Sequence, residues 1–266
     1  MQLQMILPRV EAYHIADQYE NAVHSHDGHY QVTIPTKGTC YFTHEHKQMR
    51  LGAGDMLLLH PSDRHCFHIG DDAAVIIVIA EGEGLHAGGS ALKDEAVVRK
   101  EINPQEAKSL YRRWMGSAFL ETGELLAAQE AEQSILEDLR SLLRGDQAPL
   151  PQAGPKRSGK LLDPHLARAA EYIREHYAET IQIDELAAIA LQSRFHFIRS
   201  FKAAVGLTPY QYVLHLRIEE AKRLLRETDS SVTEISYRLG FAAPSQFYRA
   251  FVKTAQATPE QYRSGI

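Results

Sequence analysis

"FKAAVGLTPYQY" (residues 201–212) and "FVKTAQATPEQY" (residues 251–262) are two versions of one pattern, 50 residues apart. They agree at the phenylalanine, at a Thr-Pro pair and at a Gln-Tyr pair. A threonine followed by proline is typical of a helix start, with Thr as the capping residue and Pro at the first helical position. The repeat therefore predicts two copies of one helical unit.

Each copy has the pattern of a short helix, a turn and a second helix. In the first copy, Ser193 is placed to cap a helix over residues 194–205, which Gly206 ends. In the second, Gly240 marks the turn and a helix is expected over residues 244–255. Two helices joined by a tight turn are the arrangement that places the second helix in the major groove of DNA.

The spacing of residues separates two faces on these second helices. Phe197 and Phe201 share one face, as do Phe247 and Phe251, and both pairs are expected in the core. The other face carries Arg and Gln, which can bind guanine and adenine bidentately. A solvated face is the commoner explanation for any one such helix, but the duplication favours DNA binding. The predicted DNA-binding residues are Ser193, Arg194, Phe195, Ile198, Arg199, Lys202, Pro244, Ser245, Gln246, Tyr248, Arg249 and Lys253.

The distribution of charge indicates that the two parts of the chain have different functions. Up to residue 155 there are 13 Lys and Arg against 22 Asp and Glu, whereas from residue 156 there are 16 against 12. Ten of the 14 histidines lie in the acidic part. A basic second part is typical of a domain that meets nucleic acid.

The second part resembles the paired helix-turn-helix domain of the AraC/XylS family of transcription regulators. The resemblance rests on "LAAIALQSRFHFIRSFKAAVGLTPYQYVLHLRIEEAKRLL" and "SVTEISYRLGFAAPSQFYRAFVKTAQATPEQYR", within residues 186–263. It implies that a long helix containing Arg217 joins two reading helices on one face of the DNA, about one turn apart. Arg217 is expected either to contact phosphate or to form an ion pair with an acidic residue inside the domain.

Two positions depart from the family pattern. Leu191 stands where the family usually has the turn glycine of the first unit, and Gln256 stands opposite Gly206. A leucine at positive φ is costly, so the first turn is expected to be strained or to take another shape.

The first part reads as short strands followed by helices. "YQVTIPTKGTCYFTH" and "AVIIVIAEG" are rich in β-branched and aromatic residues, and Gly and Asp mark the turns, which predicts a sandwich or barrel. Asn103 and Pro104 signal a helix start, and apolar residues from Leu125 to Leu143 form a helical stripe that packs on the barrel or on a second copy of the chain.

The predicted fold class is thus a multidomain α and β protein with an N-terminal cupin-like β-barrel, a helical dimerisation and linker segment, and a C-terminal all-α double helix-turn-helix. The predicted domains are a cupin-like effector-sensing barrel over residues 1–92, a helical connector over 93–144, a Pro- and Gly-rich flexible linker over 145–162, and the AraC-type DNA-binding domain over 163–266.

Three histidines are the most distinctive residues of the first part. "HSHDGHYQVTIPTKG" and "GAGDMLLLHPSDRHCF" resemble the metal-binding pieces of a cupin, and that resemblance implies His24, His26 and His65 as ligands for a divalent metal such as Zn or Ni. No Glu fills the acidic position, where His29 and Gln31 are the nearest candidates. The alternatives are a ligand pocket without metal, or no pocket role at all.

A pocket without metal would use a wider set of residues for a polar or anionic effector. Tyr41 and Arg64 are the added candidates, and the alternatives are a core position for Tyr41 and a surface turn for Arg64. The predicted effector pocket comprises His24, His26, Gln31, Tyr41, Arg64 and His65.

The remaining chemistry-bearing residues have plainer interpretations. Cys40 and Cys66 would form a redox pair only if adjacent, and free buried thiols are the commoner case. His44 and His46 repeat the His-x-His spacing, but "THEHKQ" reads as a charged hairpin tip.

The leading hypothesis is an effector-responsive, sequence-specific transcription regulator and not an enzyme. The alternatives are a metal-responsive regulator or a metal-dependent cupin enzyme fused to a DNA-binding module, against which the missing acid counts. The expected partners are double-stranded promoter DNA, a small-molecule or metal effector, a second copy of the chain and, for an activator, RNA polymerase. No signal peptide or membrane span is evident, so a cytoplasmic location is expected.

Overall fold

The structure is a computed structural model that describes residues 2–82, 98–119, 124–144 and 163–265 of the 266-residue chain. The chain divides into two compact units, Met1–Leu120 with Ser134–Ala148 and Glu121–Gln133 with Pro149–Ile266. The first unit is rich in strands and the second is built from helices, which confirms the predicted fold class. The predicted linker, residues 145–162, lies outside the described residues.

The strands of the first unit form two antiparallel sheets. They are β1 (Gln2–Ile6), β2 (Val10–Ala16), β3 (Tyr19–Glu20), β4 (His29–Lys37), β5 (Thr39–His44), β6 (Lys47–Gly52), β7 (Asp55–Leu59), β8 (His65–Ile69), β9 (Ala74–Glu81) and β10 (Val98–Glu101). A six-stranded sheet has the order β1-β2-β9-β4-β7-β10, and a four-stranded sheet has the order β3-β8-β5-β6.

The apolar run in β9 is continuous because both faces of this strand are buried. Side chains alternate along a strand, so Val75 and Ile77 pack into a core with Phe42 of the four-stranded sheet. Ile76 and Val78 pack on the opposite face, in a second core formed with helices. A strand with one solvated face would instead show alternating polar residues.

Two helices, α1 (Pro104–Phe119) and α2 (Leu125–Arg144), follow the strands. The side chain of Asn103 accepts a hydrogen bond from the backbone N–H of Gln105 (2.8 Å), as its place at the helix start predicts. The C-terminal half of the apolar stripe lies against the six-stranded sheet rather than in water. The buried residues of this half are Ile135, Leu136, Leu139 and Leu143.

The predicted connector, residues 93–144, is not helical throughout. Val98–Glu101 forms β10 and pairs antiparallel with β7, with Val98 opposite Leu58. The sequence "VRKE" has no alternation of apolar residues that would reveal an edge strand. The beginning of α2, up to Gln133, belongs to the helical unit.

The helical unit contains the two predicted copies. Helices α5 (Arg194–Val205) and α8 (Pro244–Ala255) have the bounds expected from the sequence, with Ser193 capping the first. Thr208 and Thr258 each complete a capping box with a glutamine three residues on. The helices are α3 (Pro164–His176), α4 (Ile183–Ile189), α5 (Arg194–Val205), α6 (Pro209–Glu227), α7 (Val232–Arg238), α8 (Pro244–Ala255) and α9 (Pro259–Ser264).

Each copy has its own core, centred on a pair of phenylalanines. Phe197 and Phe201 lie in the first core, and Phe247 and Phe251 lie in the second, all with no exposed surface. The Phe-x-x-x-Phe spacing places each pair on one helical face, as predicted. Burial of these rings fixes which face of α5 and of α8 is left for other contacts.

Both departures from the family pattern take the left-handed conformation that glycine favours. Leu191 has φ 54° and Gln256 has φ 56°. The turn of the first copy therefore keeps its shape and carries strain, since an L-residue in this region costs about 1–2 kcal/mol.

Replacing Leu191 with glycine is expected to stabilise the helical unit by about 0.5–1 kcal/mol, because the strain is relieved while glycine adds freedom to the unfolded chain. The leucine side chain is 75% exposed, so little packing is lost. Urea unfolding of the full chain measures the change. Leu191→Ala is the control, since it shortens the side chain but keeps a Cβ at positive φ. Equal stability of the two variants would contradict the explanation.

The two cysteines lie apart on neighbouring strands. Cys40 pairs with Ile69 and Cys66 pairs with Thr43 across the same two strands, which separates the cysteines by three residue steps, or roughly 10 Å. This is too far for a disulfide, so the redox-pair hypothesis is wrong for this structure, in which both thiols are free.

No helix in the described part of the chain is long and apolar enough to span a bilayer.

Candidate nucleic-acid interface and histidine cluster

Helix α5 is positioned by its caps and by its buried phenylalanines. Ser193 accepts a hydrogen bond from the backbone N–H of His196, and Gly206 ends the helix at φ 84°. With Phe197 and Phe201 buried, Arg199 and Lys202 are directed to solvent. This leaves a cationic face on α5 that is not used by the core of its own copy.

Helix α8 repeats this arrangement without a side-chain cap. Ala243 is its capping residue and Pro244 occupies the first turn. Tyr248, Arg249 and Lys253 are exposed on the face opposite the buried phenylalanines. Arg249 and Lys253 therefore stand on α8 where Arg199 and its neighbours stand on α5.

The predicted DNA-binding residues differ in their solvent exposure and in their contacts within the domain. Ile198 packs against the first core, and Arg194 forms an ion pair with Asp184. The guanidinium of Arg199 lies over the ring of Phe195, 5.2 Å from its centre. The exposed members are Ser193, Arg199, Lys202, Ser245, Tyr248, Arg249 and Lys253, and the partly buried ones are Arg194, Phe195, Ile198, Pro244 and Gln246.

Helix α6 connects the two copies. Its 19 residues span about 28 Å at 1.5 Å per residue. One turn of B-DNA measures about 34 Å, which is close to the length of this helix.

Arg217, in the middle of α6, is an internal residue and not a surface one. It is 2% exposed and forms an ion pair with Glu124 (2.8 Å). Its guanidinium donates to the backbone carbonyls of Tyr177 (2.6 Å) and Glu179 (3.2 Å) and lies 5.3 Å from the ring centre of Phe241. Of the two roles considered for Arg217, the structure shows the ion pair inside the domain.

Three histidines converge at one edge of the strand-rich unit. His24 and His65 exchange two backbone hydrogen bonds, both 2.9 Å, in an isolated bridge. The ring centres are 4.4 Å apart for His24 and His65, 4.9 Å for His24 and His26, and 5.4 Å for His26 and His65. One nitrogen of each ring lies within 4.8 Å of the others, which is close enough for a shared metal ion.

Backbone carbonyls fix which nitrogen of two rings carries the proton. A carbonyl oxygen only accepts, so Nδ1 of His24 donates to Ala22 (2.9 Å) and Nδ1 of His65 donates to Asp63 (2.9 Å). In the neutral rings the Nε2 atoms then carry the lone pairs. Metal-ligating histidines are held in this way, with the second nitrogen bonded to a carbonyl or carboxylate.

His26 and His65 are both held in the neutral form at pH 7. Burial lowers the pKa of His65 from 6.5 to about 4, and the neighbouring His24 and His26 act in the same direction. Burial also lowers the pKa of His26, and His24 adds to that effect. Neutral imidazoles are the form that binds metal.

Gln31 lies beside these histidines, at the acidic position that no Glu fills. It is 2% exposed, and its Oε1 lies 3.1 Å from Nε2 of His26 and 3.0 Å from Nε2 of His65. A neutral His65 has no proton on Nε2, so this contact needs a donor. Either the Gln31 amide presents its NH2 group, with Thr33 donating to its oxygen, or a cation is coordinated by both atoms.

Three other candidates lie outside this cluster. Tyr41 is 41% exposed and stacks on His68 at 4.8 Å, because its neighbour Phe42 takes the inward position on the strand. Arg64 is exposed, and its backbone N–H donates to Glu45 (2.9 Å). His29 is half-buried and bonds the backbone oxygen of Asp27 (2.7 Å). The geometry thus brings together four of the six predicted pocket residues.

A second group of potential metal ligands was missed in the sequence. His44, Glu45 and Asp63 offer ligand atoms within 4.8 Å of one another, and His44 Nε2 lies 3.2 Å from Asp63 Oδ2. The hairpin tip predicted for "THEHKQ" is confirmed, since β5 ends at His44 and β6 begins at Lys47. Asp63 joins it only through the pairing of β5 with β8, a relation without a local sequence signal.

Both halves of the chain match known domain families. Residues 186–265 match the model of a helix-turn-helix domain, and residues 9–86 match that of an AraC-like ligand binding domain. The first range covers the end of α4 and all of α5 to α9, and the second covers β2 to β9 together with the histidine cluster.

Individual relatives are also similar to this chain. The MmsAB operon regulatory protein of Pseudomonas aeruginosa is 38% identical over 128 residues, which are 48% of this chain and 39% of that protein. The HTH-type transcriptional regulator YobQ of Bacillus subtilis is 27% identical over 93% of this chain and 92% of its own. The HTH-type transcriptional activator RhaS of Klebsiella pneumoniae is 25% identical over 91% of this chain and 87% of its own.

Proposed function

Because this chain belongs to the AraC family of transcriptional regulators, we propose that it binds promoter DNA through α5 and α8 and that an effector in the strand-rich unit controls this binding. The observation that carries the proposal is the duplicated helix. In both copies the same phenylalanine spacing is buried, and in both an arginine and a lysine are exposed on the opposite face. Relatives of this kind are named as regulators, so we propose a regulatory role rather than an enzymatic one.

Arg199→Ala and Arg249→Ala are each expected to weaken binding to the operator by about 1–3 kcal/mol and to relax base preference in one half of the site. Affinity should also fall with added salt in the wild type, because phosphate contacts release counterions. Gel-shift titrations across a salt series, combined with footprinting, measure both effects.

Arg223→Ala is the matched control for these variants. Arg223 is a half-exposed arginine of the same unit, but it is held by Glu220 and Glu227 on α6 itself. It is expected to bind DNA like the wild type. If Arg199→Ala and Arg249→Ala footprint like Arg223→Ala, the assignment of reading helices is wrong.

We propose a homodimer as the regulatory species, and RNA polymerase as a further partner if the protein activates. Since Ile135, Leu136 and Leu139 of α2 are already buried against the sheet, a dimer has to use another surface. Effector binding would bias the dimer or the orientation of the DNA-binding units. Sedimentation of the protein with and without operator DNA tests the dimer, and a monomer in both states would refute it.

A metal-responsive regulator is the second candidate, and the cluster of His24, His26 and His65 favours it. Two of the three rings have their Nδ1 atoms bonded to carbonyls, which leaves the lone pairs on Nε2. Gln31, whose Oε1 lies 3.0 Å from Nε2 of His65, would supply an amide oxygen as a fourth ligand. Imidazole nitrogens suit Zn²⁺ and Ni²⁺. A bound ion would act here as the signal, whereas the amide of Gln31 cannot serve as the general base that a hydrolytic or oxidative enzyme site needs.

His24→Asn is expected to reduce the affinity for Zn²⁺ or Ni²⁺ at least about tenfold, since one of three nitrogen ligands is lost. Calorimetric titration of the chelator-treated protein measures the affinity. His46→Asn is the control, because His46 belongs to the second His-x-His pair and is exposed at the hairpin tip. Equal metal affinity in both variants, or DNA affinity that does not respond to metal, would contradict the metal-responsive candidate and leave the small-molecule effector.

A further inference from the structure

A cleft in the strand-rich unit lies on the opposite face of the six-stranded sheet from the histidine cluster. Gln31 of the cluster points to the side between the sheets, whereas its neighbours Tyr30 and Val32 point to the side covered by α1 and α2. On this helix-covered side, beside α1, is a cleft of about 520 Å³. Sites for small molecules commonly measure roughly 300–1,000 Å³.

The floor of the cleft is apolar. It is formed by Ala74 and Ile76 of β9 and by Met115 of α1, all of them buried, with Leu3 of β1 at its side. Ile76 pairs with His14, and His14 pairs with Leu3, so three adjacent strands contribute to one continuous surface. Such a surface binds an apolar group by excluding water.

The rim of the cleft is cationic. Lys37, Lys108 and Arg112 line it, and the described residues of the lining include no Asp or Glu. Lys37 has an ion pair with Asp72 (3.1 Å), but that carboxylate is 97% exposed, so water screens the pair. Lys108 and Arg112 lie four residues apart on α1, which places both cations on one helical face.

The remaining polar groups in the cleft do not offset this charge. The hydroxyl of Tyr111 donates to the backbone carbonyl of Leu3 (3.0 Å) and is thereby engaged. Burial lowers the pKa of His14, and Lys108 adds to the effect, so the imidazole is neutral at pH 7. The cleft therefore combines a positive rim with an apolar floor.

We propose that this cleft binds a small organic anion with an apolar body. Lys108 and Arg112 contact its charged head, and Ile76 and Met115 contact its body. Arginine is suited to bidentate binding of a carboxylate or sulfonate, and charge-assisted hydrogen bonds are the stronger class. The site is separate from the histidine cluster, so the strand-rich unit has two ligand positions on the two faces of one sheet.

The test is a calorimetric titration of the full chain with three probes that separate the head from the body. Octanoate carries both features, acetate carries only the head, and 1-octanol carries only the apolar body. Octanoate is expected to bind at least about tenfold more tightly than either of the other two. Equal binding of octanoate and 1-octanol would overturn the proposal, because the cationic rim would then have no role.

Two variants locate the binding. Lys108→Gln combined with Arg112→Gln is expected to weaken octanoate binding at least about tenfold, while the stems keep their packing. Arg99→Gln is the control, since Arg99 belongs to the same unit and pairs with Asp55 away from the cleft (2.8 Å). Circular dichroism and thermal unfolding confirm that each variant is folded. If the double variant binds octanoate as tightly as Arg99→Gln, the ligand is held elsewhere and the proposal is wrong.

Discussion

Replacement of Arg217 by methionine is expected to lower the stability of the helical unit by about 3–5 kcal/mol, the loss typical of breaking a buried ion pair from one side. The substitution leaves the carboxylate of Glu124 without its cation and the carbonyls of Tyr177 and Glu179 without their donor. Methionine fills a similar volume, so the effect is one of charge and hydrogen bonding rather than of a cavity. Urea unfolding of the full chain, followed by circular dichroism, measures it.

Two further variants separate this explanation from a general loss of arginine. Arg223→Met removes a half-exposed arginine from the same helix and is expected to change stability by less than about 1 kcal/mol. Glu124→Gln combined with Arg217→Met is expected to be more stable than Arg217→Met alone, because no buried charge is left unpaired. A loss below about 1 kcal/mol for Arg217→Met would show that the pair does not hold the unit together.

Gly240→Ala is expected to be the other severe substitution, with a loss of about 2–5 kcal/mol. Gly240 has φ 80°, which costs an L-residue about 1–2 kcal/mol, and a Cβ there would clash with the carbonyl oxygen of Ala178. That oxygen belongs to the backbone, so it can yield only if the chain after α3 moves, and overpacking of this kind adds about 1–3 kcal/mol. Thermal and urea unfolding measure the loss.

Gly206→Ala isolates the contribution of the clash. Gly206 has nearly the same φ, 84°, but a Cβ there meets no atom within 4 Å. It is therefore expected to show only the conformational cost of about 1–2 kcal/mol. Equal losses for Gly206→Ala and Gly240→Ala would mean that the close approach to Ala178 has no energetic consequence.

The predictable part of this protein is local in the chain. The capping of α5 by Ser193, its end at Gly206 and the start of α6 at Thr208 all depend on residues within one or two turns of each other. The burial of the phenylalanine pairs follows from their spacing on one helix. These features could be predicted because helix periodicity and capping act over short distances.

The histidine cluster could be predicted only in part. His24 and His26 are two residues apart, and the family resemblance supplied His65, so their meeting was expected. Gln31, which is also a predicted pocket residue, joins the cluster, whereas the outward position of Tyr41 depends on which of the two faces of its strand is turned inward. A shift of one residue in register would exchange those two faces, and the sequence of one strand does not fix the register against its neighbour.

The sequence by itself determined the duplicated helix, the arginines on its outward face and the division between a strand-rich and a helical part. All of these follow from patterns that repeat within 3.6 or 2 residues, or within the 50-residue duplication. Only the tertiary structure decided that Arg217 is internal, since Glu124 lies 93 residues away. It alone also placed Lys108 and Arg112 above an apolar floor from other strands, because contacts between distant segments are set by packing of the whole unit and not by local propensity.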